Sequence, residues 1–180
     1  MNGTKRLRAR GFPLALALAL TGCGGGGSAG SAPALTPQEH VAQLEANGTL
    51  PFLDRTDSIA GIDANANGVR DDIEKYIEKK YAVPTQRKAA MQTARAYQQM
   101  LQVDTSDPME LERVSKTSWR AVGCERLAFP GPEGAKQSWE MAQEVKSLTT
   151  NTRKRLKALL AYNKARSGSV SSMPEGAACE

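Results

Sequence analysis

Along most of the chain, apolar residues recur at the three- and four-residue intervals that place them on one face of a helix. Ala90, Ala94, Tyr97 and Leu101, for example, occupy positions i, i+4, i+7 and i+11 of one such face. Strand-forming residues are scarce: the 180 residues include only twelve Val and Ile, whereas Ala, Gln, Glu, Lys and Leu form runs that lack Gly and Pro. The pattern predicts an all-α protein, built as a small irregular helical bundle.

Capping residues, prolines and glycines divide this pattern into six predicted helices. Thr36-Pro37-Gln38-Glu39 has the form of a capping box with Pro at the first helical position. Thr85 is expected to cap the third helix. The predicted helices cover residues 36–46, 71–81, 85–101, 106–128, 133–148 and 151–168.

The later helices each carry an apolar stripe that is expected to face the core. The stripes consist of Leu111, Val114, Trp119 and Val122; Trp139, Ala142 and Val145; and Leu156, Leu159 and Leu160. Trp119, Trp139, Tyr97 and Tyr162 would also suit the lining of a ligand pocket. Aromatic residues at helical spacing usually fill the core, and we expect that role for these four.

The chain begins with the pattern of an export signal. Four basic residues precede an apolar run of nine residues, 12–20, which is too short to span a bilayer as a helix. Leu20-Thr21-Gly22-Cys23 follows, and these residues resemble the lipobox of bacterial lipoproteins. The resemblance implies a signal peptide over 1–22 and a lipid group, with acyl chains such as palmitate, on Cys23. The alternative is a plain secretory signal in which Cys23 is incidental.

The same resemblance implies a location. Lipoproteins of Gram-negative bacteria that lack Asp after the lipidated Cys are directed by default to the outer membrane, and Gly24 follows Cys23 here. We expect the protein to be anchored there by its acyl chains and to face the periplasm. Residues 23–35 are the predicted lipidated Cys and a disordered Gly/Ser/Ala tether, so the folded domain is expected to cover 36–180.

Removal of the signal changes the charge of the protein. The full chain has 24 Lys and Arg against 19 Asp and Glu, but the four basic residues of the signal leave 20 in the mature chain. A nearly neutral protein gives no indication of nucleic-acid binding. His40 is the single His, which excludes a His-rich metal site and makes His-dependent catalysis depend on one residue.

Cys124 and Cys179 are left as a pair when Cys23 carries lipid. Because an exported protein lies in an oxidising compartment, we predict a disulfide between them. It would tie the tail 167–180 to the end of the fourth helix. Catalytic or metal-binding thiols are the alternative, but these residues lack CxxC spacing and His partners.

One segment carries a ligand pattern. Residues 63–74 read Asp-Ala-Asn-Ala-Asn-Gly-Val-Arg-Asp-Asp-Ile-Glu, which matches the calcium-loop spacing D-x-[DN]-x-[DN]-G-x5-E at every position. Calcium takes about six to eight oxygen ligands, and a loop that wraps the ion presents alternate residues inward. The pattern therefore predicts a calcium site made by Asp63, Asn65, Asn67, the carbonyl of Val69, Asp71 and Glu74.

This segment resembles the loop of EF-hand, dockerin and thrombospondin-type calcium proteins. It departs from a full EF-hand in two respects: residues 50–61 hold Pro, Gly and turn residues where a first helix would lie, and Arg70 replaces the aliphatic residue that pairs with a second loop. We therefore expect a solitary loop followed by one helix. Because Asn65 and Asn67 are neutral, the expected calcium affinity is modest.

The alternative is an Asn-Gly turn before a helix whose first turn carries Asp71 and Asp72. It leaves the alternation of ligands and Glu74 unexplained. The longer segment 50–76 also resembles a group of exported proteobacterial proteins that has no assigned activity. That resemblance implies the location and the loop only.

Two weaker patterns bear on function. The last helix is basic through Arg153, Lys154, Arg155, Lys157, Lys164 and Arg166, which suits a solvated face or, alternatively, an anionic partner. Glu110 with Glu112, and Glu140 with Glu144, are acid pairs but lie in no cleft motif.

The sequence thus predicts a calcium-binding envelope lipoprotein that serves as a binding or structural module for an envelope protein or glycan. The alternative is a hydrolase that acts on peptidoglycan or polysaccharide.

Overall fold

Six α-helices account for most of residues 34–180, which are the part of the chain that the computed structural model describes. They are α1 (Pro37–Ala46), α2 (Asp71–Lys80), α3 (Pro84–Gln102), α4 (Pro108–Ala128), α5 (Gly134–Thr149) and α6 (Arg153–Ala165). This described part contains no strand, which confirms the all-α helical bundle. All six helices belong to one compact unit, Thr36–Glu180.

The helix ends follow local chemistry. Thr36 and Glu39 form the predicted capping box, and Asp107 caps α4 by accepting from the amides of Met109 and Glu110. The predicted cap at Thr85 is wrong, because α3 begins one residue earlier with Pro84 and its N-cap is Val83. Proline already has the helical φ angle and lacks the N–H that a cap would satisfy.

The core is arranged around α3, which packs against α2, α4, α5 and α6. One buried cluster joins Ile73 and Ile77 of α2 to the Ala-rich face of α3 and to Met141 and Val145 of α5. A second joins Leu101 to residues of α4 and α6. The small side chains of α3 let neighbouring helices approach closely, so the bundle buries much of its apolar surface through Ala.

The C-terminal tail lies against α3 and α4. Cys124 and Cys179 form the predicted disulfide, with an S–S distance of 2.05 Å. On α3, the Gln92 side chain donates to the Ala178 carbonyl at 2.8 Å and accepts from the Glu180 amide at 3.2 Å. The tail is thus held by hydrogen bonds as well as by the disulfide.

Several predicted core residues are exposed. Trp139 is 63% exposed, Leu160 56%, Leu156 46% and Trp119 37%. Other predicted core residues are buried, which confirms them: Leu111, Val114, Val145, Leu159 and Tyr162. The buried faces also include residues that were not predicted: Ser138, Met141 and Thr149 on α5; Arg155 on α6; and Ala121, Cys124 and Ala128 on α4. Helical spacing offers adjacent stripes, and the neighbouring helices determine which of them is buried.

Candidate functional site: the loop 63–74

The loop 63–74 is folded by hydrogen bonds from its own side chains. One oxygen of Asp63 accepts from the Asn67 amide at 3.1 Å and the other accepts from the Gly68 amide at 2.8 Å. The side-chain oxygens of Asn65 and Asn67 each accept from the amide two residues ahead. Gly68 has φ +82°, which favours glycine, so it makes the turn that the spacing requires.

Glu74 closes the loop from the first turns of α2. Its two carboxylate oxygens accept from the side-chain amides of Asn65 at 3.0 Å and Asn67 at 2.8 Å. Asp71 closes the other side, because its Oδ1 accepts from the Ala64 amide at 3.0 Å. Each Asn oxygen accepts one backbone amide, and an amide oxygen has two lone pairs, so both Asn side chains retain a lone pair that a cation could use.

The carbonyl of Val69 is the least explained group in the loop. Val69 is 0% exposed, and its amide donates to Asn67 Oδ1 at 2.9 Å. No group within residues 34–180 donates a hydrogen bond to its carbonyl oxygen. A buried carbonyl without a partner is rare and costs free energy. This oxygen lies at the loop position where calcium loops offer a backbone carbonyl, and a cation there would satisfy it.

The six predicted ligand residues are therefore brought into one loop. Within the described residues, no three His, Cys, Asp or Glu side chains are gathered as a metal site. The three predicted carboxylates, Asp63, Asp71 and Glu74, are therefore not gathered around one point in this structure, and the predicted set adds two amides and one backbone carbonyl to them. The fit of these residues to a cation rests on oxygen chemistry rather than on clustered acids.

The segment before the loop is irregular, as predicted. No helix lies between Ala46 and Asp71, so a single loop is followed by α2. Position eight, Arg70, is 0% exposed and serves as the N-cap of α2. Its guanidinium donates to both oxygens of Asp72 at 2.9 and 2.6 Å, and to the Thr149 carbonyl at 3.3 Å. Arg70 therefore joins the loop to the C-terminal end of α5.

A second buried arginine lies next to the first. Arg155 of α6 is 0% exposed and pairs with Asp54 Oδ2 at 3.2 Å, while Nε donates to the Ile59 carbonyl at 3.3 Å. Asn151 Oδ1 accepts from both guanidinium groups. Burial and then the charge of Arg70 lower the pKa of Arg155. Arg155 thus does not belong to a basic surface, which corrects the predicted face of the last helix.

Close packing supports this arrangement. Gly61 has φ +71°, and a Cβ added there would lie 2.3 Å from Cδ of Arg70. On the outer side of the loop, Arg95 of α3 donates from Nε to the Asn67 carbonyl at 2.8 Å and pairs with Glu180. Sequence reasoning missed Arg70, Arg95 and Arg155 as supports of the loop, because no spacing rule marks an arginine that will be buried.

The acid pairs considered for glycan hydrolysis are engaged elsewhere. Glu144 accepts from the hydroxyls of Tyr76 and Tyr81 and pairs with Lys80, which joins α5 to α2. Glu140 is exposed and faces Lys136 at 4.0 Å. The other pair is also bound by bases, since Glu110 pairs with Arg113 and Glu112 with Arg166. Glu140 and Glu144 line one pocket, but Glu144 is held there by Tyr76, Tyr81 and Lys80, so the pair does not offer two open carboxylates.

The remaining predictions fall at the N-terminus. The signal 1–22, the lipidation site Cys23 and most of the linker 23–35 lie outside the described residues. Within 34–180, none of the helices combines the length and apolar character needed to cross a bilayer. Comparison with known proteins adds no relative: no family model, curated protein or solved structure matches this chain.

Proposed function

We propose that this protein is a calcium-binding lipoprotein of a bacterial cell envelope, in which the ion stabilises a binding or structural module. The observation that carries the calcium proposal is the buried carbonyl of Val69, which has no donor among the described residues. It occurs at the one position of the motif where a backbone oxygen is required. The alternative of a plain Asn-Gly turn gives no reason for that oxygen to be buried.

The residues that would hold the ion are those of the motif. Asp63, Asp71 and Glu74 bring negative charge, and Asn65, Asn67 and the Val69 carbonyl bring neutral oxygens. A hard divalent cation prefers such oxygens and would replace the amide hydrogens that Glu74 now accepts. The ion would satisfy the buried carbonyl and offset repulsion among the carboxylates.

A structural role is favoured over a sensor role. A sensor opens a pair of helices around two coupled loops, whereas this loop is single and its Arg70 joins it to α5. Calcium is therefore expected to stabilise the fold rather than to expose apolar surface. At about a hundredfold excess over Kd, binding to the folded state alone adds roughly 2.7 kcal/mol.

Calorimetry and thermal melting of the domain 36–180 test the calcium proposal. We expect calcium binding with heat, and a loss of about 5 to 10 °C in Tm when a chelator replaces excess calcium. Glu74→Gln should weaken calcium binding by roughly tenfold or more, because it removes a bidentate ligand. Glu78→Gln, on the exposed side of α2, is the matched control and should bind as the wild type does. Absence of calcium heat, with an unchanged melt in chelator, would refute the site.

The lipid anchor is proposed from the lipobox, and the disulfide supports export because such bonds persist in oxidising compartments. The proposed location is the outer membrane of a Gram-negative bacterium, on its periplasmic side. Palmitate labelling in cells should mark the wild type and not Cys23→Ser, which should be released from membranes. A Cys23→Ser protein that still labels and sediments with membranes would contradict the anchor.

A further inference from the structure

A large groove lies between α2 and the segment 48–54, away from the predicted ligands of the calcium loop except at Asp71. Its volume is about 750 Å³, within the range of roughly 300 to 1,000 Å³ that small-molecule sites occupy. Leu50, Pro51, Phe52, Ile62 and Tyr76 provide its apolar lining. Phe52 is 77% exposed and Ile62 62% exposed, so the groove leaves large apolar side chains open to solvent.

Within residues 34–180, the acidic side chains that line the groove mostly have partners already, whereas two of its lysines have none. Three of its acids are already bound by arginines: Glu45 by Arg55, Asp54 by Arg155 and Asp72 by Arg70. The fourth, Asp71, accepts from the Ala64 amide. On the facing wall, Lys75 and Lys79 of α2 are exposed and pair with no acid among the described residues. These two lysines face one acid that has no basic partner in this part of the chain, Asp71, so the net charge that the groove offers to a ligand is positive.

We propose that this groove binds a single-chain lipid with an anionic head group, such as a lysophospholipid. The acyl chain lies along Phe52, Ile62 and Leu50, and the head group faces Lys75 and Lys79. A peptide would need partners for its backbone N–H and C=O groups, which a mostly apolar lining with occupied acids does not supply. An acyl chain needs none, and its burial with that of Phe52 provides the driving force. The inference goes beyond the calcium proposal and does not depend on it.

The probe is 1-myristoyl lysophosphatidylglycerol, titrated into the domain 36–180 below the concentration at which the lipid forms micelles. This unit contains every helix, the core and both bridged cysteines. The matched lipid is 1-myristoyl lysophosphatidylcholine, which has the same chain and phosphate but no net charge. We expect saturable binding of one anionic lipid, about tenfold tighter than the zwitterionic one. No saturable binding, or equal binding of the two lipids, would overturn the proposal.

Variants at exposed positions locate the site without disturbing the core. Phe52→Ala should weaken binding by about tenfold or more through lost apolar contact, and the double change Lys75→Glu and Lys79→Glu by about fivefold or more. Trp139→Ala and the double change Lys154→Glu and Lys157→Glu are matched controls on exposed parts of α5 and α6. An equal loss in the test and control variants would place the lipid elsewhere and overturn the proposal.

Two further experiments distinguish a bound lipid molecule from a membrane surface and from a second copy of the chain. Vesicles of diacyl phosphatidylglycerol that bind the domain while the monomeric lipid does not would indicate a membrane surface and contradict the groove. A dimer that Phe52→Ala dissociates, without any lipid binding, would indicate a second copy of the chain and contradict it too. The calcium titration of the same sample is read separately. A titration without calcium binding would refute the calcium site and not the lipid proposal. A titration without lipid binding would refute the lipid proposal and not the calcium site.

Discussion

Glu125 is the buried acid of α4, only 7% exposed, and the Thr93 hydroxyl donates to it at 2.7 Å. Burial raises the pKa of Glu125 above its usual 4.5, while the Thr93 hydrogen bond and the charge of Arg126 act in the opposite direction. The folded state therefore binds a proton that the unfolded chain has already released. Stability is highest below the unfolded pKa and falls as the pH rises through the folded pKa.

Glu125→Gln removes this titration and keeps an oxygen that accepts from Thr93. We expect the variant to match the wild type near pH 4 and to melt about 2 to 4 °C higher at pH 8, which is roughly 1 kcal/mol for a domain of this size. Thermal melts across pH measure the difference. Glu78→Gln, exposed on α2, should show no such pH-dependent gain. A Glu125→Gln variant that is less stable at pH 8 would show that the ionised carboxylate is favourable.

At the scale of elements, two buried arginines join segments that the chain places far apart. Arg70, in the second half of the loop 63–74, reaches Asp72 and the carbonyls at the end of α5. Arg155 of α6 reaches Asp54 and Ile59 in the segment before the loop. Ion pairs removed from water are favourable only when their remaining hydrogen bonds are satisfied, and these guanidinium groups have several partners each.

Arg70→Met keeps the aliphatic part of the side chain and removes the charge. The change leaves the charge of Asp72 without its arginine partner and the α5 carbonyls without the guanidinium donor, so the free energy of unfolding should fall by about 3 to 5 kcal/mol. Arg113→Met breaks an exposed pair with Glu110 and should cost less than about 1 kcal/mol. Denaturant unfolding of both variants gives the comparison. Similar small losses would show that the buried pair contributes little.

At the scale of the whole molecule, the tail completes the bundle. The disulfide joins residues 55 positions apart, and Glu180 pairs with Arg95, which itself donates to the Asn67 carbonyl of the loop 63–74. Gly123 is part of this contact, because a Cβ there would lie 2.9 Å from Cβ of Ala178. The tail thus links α3, α4 and the loop.

Removal of the disulfide tests that role. The double variant Cys124→Ala and Cys179→Ala should lose about 4 kcal/mol of unfolding free energy, because the loop in the unfolded chain is no longer closed. Amide exchange of residues 169–180 should become faster, because noncovalent attachments, such as the side-chain contacts from Gln92, Arg95 and Arg166, are then what remains. The wild type before and after reduction is the internal control. A loss below about 1 kcal/mol, with a tail that stays protected, would contradict this view.

Much of the helical framework could be predicted from the sequence because it is local. Thr36, Asp107 and the prolines at the first turns of α1 and α4 indicate helix starts from neighbouring residues alone. The disulfide followed from the two cysteines that remain if Cys23 is lipidated in an exported chain, and the structure contains it. The calcium site stays a prediction. Its motif is local too, because the spacing of the ligand residues lies within one loop of twelve residues.

The sequence by itself determined the helix class, most helix boundaries and the pattern of loop ligands, since these depend on residues within a few positions of one another. Only the tertiary structure decided which stripe of each helix is buried. Trp139, for example, is exposed on α5, whereas Arg155 is buried on α6. It also decided that the Val69 carbonyl is left without a donor and that Phe52 borders an open groove. Burial depends on side chains that approach from distant elements, and no spacing within one segment contains that information.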